Sequence, residues 1–420
     1  MTKVSFFLVT ILFASRLFAQ AGPPKYMQAA AQFEKFYNSD KPDSIFSRFS
    51  PELKSAVPEF AAQTTQLKTQ LGSLEKMEFY KYDSSLALYK ASFKNAVFLL
   101  NISLNNKDQL TGLKLSPYID EAQEDPSIIE SPVLVKTFSS VISGTLTMPK
   151  NAAGKIPVVL IIGAAGSIDR DGNRGNLGAN DYKLLAAALG KSGIASVRYD
   201  KRMVGQSTTS AKEKDMRFDD YFEDAFGLID MLNKDTRFSK VIVLGHGQGS
   251  LVGMIVSNDE RVNSFISVEG ASLGADKILT AQVNKTYPKY LADGFKDVLD
   301  TLRRGRINYK VDPGLYTIAR PSIQMLIMTW CRYDPQEEIK KVKKPILIIQ
   351  GSTDLEIDAI SAERLKKSKT SVLAIINGMN YALKEAPLDK DANLATYTKP
   401  DLPLKPEFVT TVVDFINKLP

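Results

Sequence analysis

The apolar run Val241-Ile242-Val243 leads into Leu244-Gly245-His246-Gly247-Gln248-Gly249-Ser250. A strand that turns sharply into a helix through alternating glycines lifts one side chain above a sheet edge and leaves backbone N–H groups beside it. That frame serves acyl transfer: a serine on the turn attacks, an imidazole takes its proton, and the N–H groups hold the oxyanion. Glycine, Gly247, stands where the G-x-S-x-G pattern puts the serine. The one histidine in the chain, His246, lies inside the turn and not downstream of it. At the second position of the turn, it is expected to point away from the cleft and pack against the sheet. Ser250, three residues past the turn, is expected one helical turn in, with a capping or packing role.

The elements that must position this turn alternate strand and helix. Strands are expected at Ile142–Met148, Val158–Ile162, Ala195–Tyr199, Val241–Leu244, Phe265–Val268, Ile346–Ile349 and Val372–Ile376, mostly continuous apolar runs of the kind a sheet buried on both faces requires. Between them Phe218, Phe222, Ala225, Ile229 and Leu232 recur at helical spacing, and Leu184 to Leu189 opens another helix. A mostly parallel sheet with helices on both faces follows, over residues 131–420. The irregular piece at about 271–341 reads as a helical cap inserted over the carboxyl edge of the sheet. Before this domain, residues 24–118 read as a small α+β domain. Ala29, Phe33 and Tyr37 mark one helix and Glu59 to Gln70 a second, and four alternating segments between Glu78 and Leu115 mark an antiparallel sheet. The acidic, proline-bearing stretch within 119–130 reads as the linker.

Composition bounds the rest. With 420 residues, 44% hydrophobic and 24% charged, the chain has a globular composition with room for two domains. Met1-Thr2-Lys3, the apolar run Val4 to Ala14 and the small-residue end at Ala19 and Ala21 match a secretory signal peptide, taken as residues 1–19. A secreted or periplasmic location is therefore expected, without a membrane span in the mature chain. The net charge of +7 is scattered among acids, as in Lys212-Glu213-Lys214-Asp215, so nucleic acid is not an expected partner. Cys331, the single cysteine, reads as a buried thiol. Asp169, Asp171 and Asn173 are spaced like the start of a calcium loop, but Arg174 stands where the loop needs glycine and Asn180 where it closes with glutamate. The preferred reading is a turn whose acids pair with Arg170, Arg174 or Lys201, and no metal or other cofactor is expected. Tyr287, Tyr290, Phe295, Tyr309, Tyr316 and Trp330 cluster in the cap, where cap packing is favoured for each over lining a pocket.

Five blocks carry a resemblance: 161–173 with Gly163-Ala164-Ala165-Gly166, then Arg198-Tyr199-Asp200-Lys201-Arg202, the glycine turn, Gln350-Gly351-Ser352-Thr353-Asp354, and Gly378-Met379-Asn380-Tyr381. In this order the chain resembles secreted bacterial α/β-hydrolases of the esterase and serine-aminopeptidase-like group over about residues 130–420. Members with a small preceding domain are similar to it at the N-terminus as well. The resemblance implies ester or amide cleavage by a Ser-His-Asp triad. Carried over by position, the nucleophile falls on Gly247, the acid on Asp354 and the base on Tyr381, so only the acid remains. The oxyanion donors fall on the backbone N–H groups of Ala165 and Gln248, which need no particular side chain. A phenol that ionises near pH 10 is a poor general base at neutral pH.

Three readings follow. The first is a hydrolase fold without hydrolase turnover, whose capped cleft binds a small molecule or peptide or docks a partner. The second is an esterase or peptidase with a non-standard site, for which a water held by Asp354 in the space left at Gly247 would attack. The third is an interaction module acting through residues 24–118.

Overall fold

The computed structural model describes residues 23–83, 86–118, 125–174, 178–368 and 370–420. The expected leader at 1–19 and the part of the expected linker at 119–124 lie outside the described residues. Contacts divide the chain into two units, Met1–Glu121 and Ala122–Pro420.

In the first unit, α1 (Pro24–Asn38), α2 (Pro42–Ser47) and α3 (Pro51–Ala56) each carry proline in the first turn, where its fixed φ suits a helix and its missing N–H costs nothing. With α4 (Phe60–Leu71) they precede an antiparallel sheet of β1 (Leu74–Asp83), β2 (Leu86–Phe93), β3 (Val97–Leu104) and β4 (Leu110–Pro117), paired in that order. On β2 every second residue, Ala87, Tyr89, Ala91 and Phe93, is buried. They meet Tyr26, Ala29, Phe33 and Tyr37, which the helical period places on one side of α1.

The second unit begins with β5 (Ile128–Lys136), β6 (Ser140–Pro149) and β7 (Ile156–Ile162). Ile128 to Glu130, expected as linker, already pair with β6. This first strand was hidden because its alternation is broken by Glu130-Ser131-Pro132 and it lies at an edge, where proline is tolerated. Then follow α5 (Asp181–Lys191), β8 (Ala195–Tyr199), the two-residue β9 (Thr208–Thr209), α6 (Asp220–Lys234), β10 (Phe238–His246), α7 (Gln248–Val256) and β11 (Ser264–Val268). The cap comprises α8 (Ala275–Thr286), α9 (Lys289–Arg303), α10 (Tyr316–Ala319), α11 (Gln324–Trp330) and α12 (Pro335–Lys341). The chain closes with β12 (Ile346–Gly351), α13 (Ile360–Leu365), β13 (Ser371–Ile376), α14 (Lys390–Ala395) and α15 (Pro406–Asn417).

The sheet order is β13-β12-β11-β10-β7-β8-β6-β5, with β9 beside β6. The six strands from β8 to β13 run parallel, and β6 and β5 are antiparallel. Both faces are buried. Val158, Leu160 and Ile162 of β7 enter the core that α6 and α7 cover, while Val159 and Ile161 enter the core that α5 and α15 cover. The cap has its own small core around Phe295, Val298 and Leu299. Because the central strands are parallel, the loops after β7, β10, β11, β12 and β13 all emerge at one edge, and the site is built there.

One glycine sets how closely α7 lies on the sheet. A β-carbon on Gly249 would overlap the Ile162 carbonyl oxygen and lie 2.7 Å from that of Gly163. Main chain cannot yield as a side chain can, so Gly249→Ala is expected to lower stability by about 1–3 kcal/mol or more. Urea unfolding of the two proteins measures it, and an unchanged midpoint would contradict this packing.

Candidate active site

The turn after β10 has the strained geometry that presents a nucleophile. Gly247 adopts φ +55° and ψ −114°, and its N–H donates to the Val268 carbonyl at 2.9 Å, pinning the turn to the end of β11. For a residue with a β-carbon this conformation costs about 1–3 kcal/mol; glycine holds it freely. The nucleophile position is therefore built, and empty of any side chain.

What fills the space is Tyr381, on the loop after β13. A β-carbon on Gly247 would overlap the Tyr381 hydroxyl oxygen, lie 3.1 Å from its Cζ and come within 3.3 Å of the Ala164 β-carbon. Nucleophile and base positions of the expected triad thus converge as the resemblance implies, but a phenol stands where the serine side chain would begin. Among the described residues the Tyr381 hydroxyl has no hydrogen-bond partner, and enclosure pushes its ionisation well above the usual value. It is a donor at neutral pH, and no base.

His246 does not point away from the cleft as expected. It lines the cleft floor, 2% exposed, with its ring centroid 4.4 Å from that of Tyr381. Its Nδ1 lies 2.8 Å from the Tyr182 hydroxyl, whose oxygen also accepts the Ala164 N–H at 2.9 Å. Burial holds the Tyr182 phenol protonated and pushes His246 down to about 3, so Tyr182 O–H donates to Nδ1 and the remaining proton of the neutral ring is on Nε2. Nε2 faces the Tyr381 main chain without completing a hydrogen bond. The histidine is a structural link between the turn and the first loop.

Asp354 is present after β12, but it is not free to orient a base. Its Oδ1 accepts the N–H groups of Glu356 at 2.7 Å and Ile357 at 3.2 Å, and its Oδ2 accepts Gln350 Nε2 at 3.1 Å. A second carboxyl, Glu269, is fully buried beside it. Glu269 accepts the Gly351 N–H at 2.8 Å and a short bond from Gln350 Nε2. Burial, then the neighbouring Asp354 charge, push Glu269 well above the carboxylate range; burial raises Asp354 too. Two like charges so close cannot both ionise, and Glu269 keeps the proton and donates it toward Asp354. Glu269 escaped the sequence reading, although a carboxylate immediately after the apolar strand Ser264–Val268 marks the active edge.

The two expected oxyanion donors are open to the cleft. Ala165 and Gln248 both face the cleft, and among the described residues neither backbone N–H has an acceptor. Behind them Lys201, 5% exposed, donates to the Ala164 carbonyl at 3.0 Å and to Gln248 Oε1 at 2.9 Å, over the Tyr221 ring. The cleft itself is about 510 Å³, floored by Gly247 and Tyr381 and walled by Leu251, Leu279, Trp330 and Ile357.

Several expectations resolve differently. Ser250 is fully buried and bonded to Ser267 Oγ at 2.7 Å, a packing role. Asp169 caps its own turn through the N–H groups of Asp171 and Asn173, Asp171 pairs with Arg198 at 2.8 Å, and Arg170 pairs with Asp200 at 2.6 Å. The acids therefore find none of Arg170, Arg174 or Lys201: Asp171 is taken by Arg198 of β8, Asp169 by its own turn, and Arg170 by Asp200. Of the cap aromatics only Trp330 lines the cleft, stacked on Phe218; Phe295 is core, and Tyr290, Tyr309 and Tyr316 are exposed. Cys331 is half-buried, with its thiol pushed up to about 11 and unreactive.

A family model described as serine aminopeptidase, S33, matches residues 173–379, a span that includes the glycine turn and Asp354 and stops just before Tyr381. Esterase EstD of Thermotoga maritima is 20% identical over 342 residues, covering 79% of this chain and 80% of the esterase. Among solved structures, the hypothetical protein PA2218 of Pseudomonas aeruginosa aligns with a TM-score of 0.51 at 13% identity, over 74% of this chain and all of that one. Est1E of Butyrivibrio proteoclasticus with ferulic acid bound aligns at 0.49 and 19% identity, over 68% of this chain and all of its own.

Two stability measurements probe the site. Gly247→Ser forces a side chain against the Tyr381 hydroxyl, so it is expected to cost about 1–3 kcal/mol in overpacking beyond the backbone strain. Adding Tyr381→His should recover the overpacking part and leave the strain, and additive losses in the double-mutant cycle would contradict the shared space. For Glu269 the folded-state ionisation lies above the ordinary 4.5, so its contribution is complete below that pH and is lost as pH rises beyond it. Glu269→Gln can still accept the Gly351 N–H and donate toward Asp354, loses the bond accepted from Gln350, and cannot ionise, so its stability relative to the unaltered protein should grow between pH 5 and pH 8 in urea unfolding.

Proposed function

We propose that this chain, an α/β-hydrolase of the esterase and serine-aminopeptidase-like group, acts by binding a small ligand in its capped cleft and not by turning it over. The observation that carries the reading is the phenol at the nucleophile position. Loss of a serine alone could leave room for an attacking water, but Tyr381 occupies that room. The group best placed to hold such a water, Asp354, is already committed to Gln350 and to its own loop.

Magnitudes favour the same conclusion. In a well-measured serine protease, removing the nucleophile or the base costs about a millionfold in rate, and what remains comes from the oxyanion hole and binding. An oxyanion frame without a nucleophile still binds, and a largely apolar cleft of about 510 Å³ is of the size that takes small molecules. The leader-like composition of residues 1–19 supports a location outside the cytoplasm within the same proposal. The second reading, a working esterase, draws on one feature, the two unpaired N–H groups of Ala165 and Gln248.

A panel of p-nitrophenyl esters and aminoacyl amides decides between them, run beside Gly247→Ser/Tyr381→His as the reference that restores the residue types of acyl transfer. The expected rate for the unaltered protein is about a millionfold below that of an esterase with a complete triad. Saturable turnover by it, abolished by Asp354→Asn, would reject the binding reading in favour of the second.

A further inference from the structure

We infer that the ligand of the cleft is a carboxylate anion, held head-on by the Tyr381 hydroxyl and the backbone N–H groups of Ala165 and Gln248, with the Lys201 ammonium behind them. This rests on the binding reading above and gives it a chemical class.

The argument starts from the donors. In acyl transfer the reacting carbon sits about 3 Å from both the nucleophile oxygen and the oxyanion donors. Here the Tyr381 oxygen takes the place of the nucleophile's first side-chain atoms, so a carboxyl carbon in that spot would turn one oxygen to the two N–H groups and the other to the phenol O–H. All three donors lack acceptors among the described residues. Beneath them His246 Nε2, buried, carries a proton toward the Tyr381 main chain without a completed bond. Three donors converging on one spot fit a permanent anion. An ester carbonyl would accept the two N–H bonds and leave the phenol unmatched.

Charge points the same way. Lys201 is buried with no carboxylate within ion-pair distance among the described residues; its partners are the neutral oxygens of Ala164 and Gln248. Both partners belong to the segments that supply the donors, so the cation polarises the hole from behind. Gln248 also opens α7, whose N-terminus adds a partial positive charge. Around Lys201 the other titratable groups are Tyr221 and Asp224 on α6, and Asp224 is committed to Arg202 at 2.7 Å. Burial pushes Lys201 down to about 7 and Asp224 up to about 6. A bound carboxylate favours the charged lysine, so binding takes up a proton above pH 7 and weakens as pH rises. The cleft is also lined by Arg174 and Lys285 and, on the far wall, by the carboxyls Glu356 and Asp358 and the buried Asp181, so the preference for an anion rests on the donors and Lys201 at the floor and not on the net charge of the walls.

Calorimetric titration of the full chain tests this with octanoate and benzoate, each beside its methyl ester and its alcohol. The acids should bind about tenfold or more tightly than the ester and alcohol, as expected when charge-assisted bonds are lost. Tyr381→Phe should weaken the acids about ten- to hundredfold and barely change the others. Lys201→Met, with its melting transition checked, should weaken them too and flatten the fall in affinity between pH 7 and pH 9, a signature that a merely structural lysine would not produce. Equal affinity for acid, ester and alcohol, an unchanged Tyr381→Phe, or no saturable heat with either acid at millimolar concentration would overturn the inference. Hydrolysis of the methyl esters during the titration would overturn the binding reading instead, since the preference among ligands is read separately from product release.

Discussion

A β-carbon at position 247 and a tyrosine ring at position 381 cannot share the space above β10. In the proposed reading the glycine and the tyrosine are therefore one structural event. Glycine without the tyrosine would leave a hole at the centre of the cleft, and tyrosine without the glycine would collide with the turn. Together they put a phenol oxygen that donates where a side chain at 247 would begin. The backbone around them keeps the form that attack required, since φ +55° and ψ −114° follow from joining β10 to α7 at this angle and not from the side chain carried.

That form is held by groups remote from acyl transfer. The turn is tied to β11 by the Gly247 N–H and to the first loop by the path from His246 through Tyr182 to Ala164. The wall at Leu355 to Asp358 hangs on Asp354, which Gln350 and the protonated Glu269 hold in turn. The links through Tyr182 are buried, where an unmade hydrogen bond costs about 1–3 kcal/mol. The cleft thus stays rigid without a substrate to organise it. Rigidity suits a receptor, because a preformed site spends little of its interaction energy on ordering itself.

Much of this could be read from residues alone, and the reasons are physical. Buried parallel strands announce themselves as continuous apolar runs, so the expected strands at 158–162, 195–199 and 346–349 fall within or on β7, β8 and β12. The edge strand β5 has polar and proline positions that look like linker, and pairing alone defines it. At the site, chain order and the resemblance assign Gly247, Asp354 and Tyr381 to the triad positions. They do not assign the contacts. Whether His246 turned toward the cleft depended on Tyr182, sixty-four residues earlier, offering its hydroxyl. The neighbour of Asp354 is Glu269, just past the end of β11, and Lys201, expected beside the Asp169 turn, reaches the Ala164 carbonyl instead. Side-chain pairing across sequence distance is set by packing, which a pattern of residue types does not encode.

The persistence of the oxyanion frame is the last step. An oxyanion hole is made of main chain, so it survives any substitution that leaves the turn intact, and survival by itself says nothing of use. Lys201 is different. A buried ammonium without a counter-ion is costly to hold charged, and nothing in the fold demands one there, since the same oxygens could be met by a neutral donor. Its cost is offset when an anion occupies the hole in front of it. A transient oxyanion would exist only while a bond is being broken, which the Tyr381 phenol at the nucleophile position disfavours. A carboxylate is present throughout the life of the complex, and it is the anion that gives the lysine, the two N–H groups and the phenol a common partner.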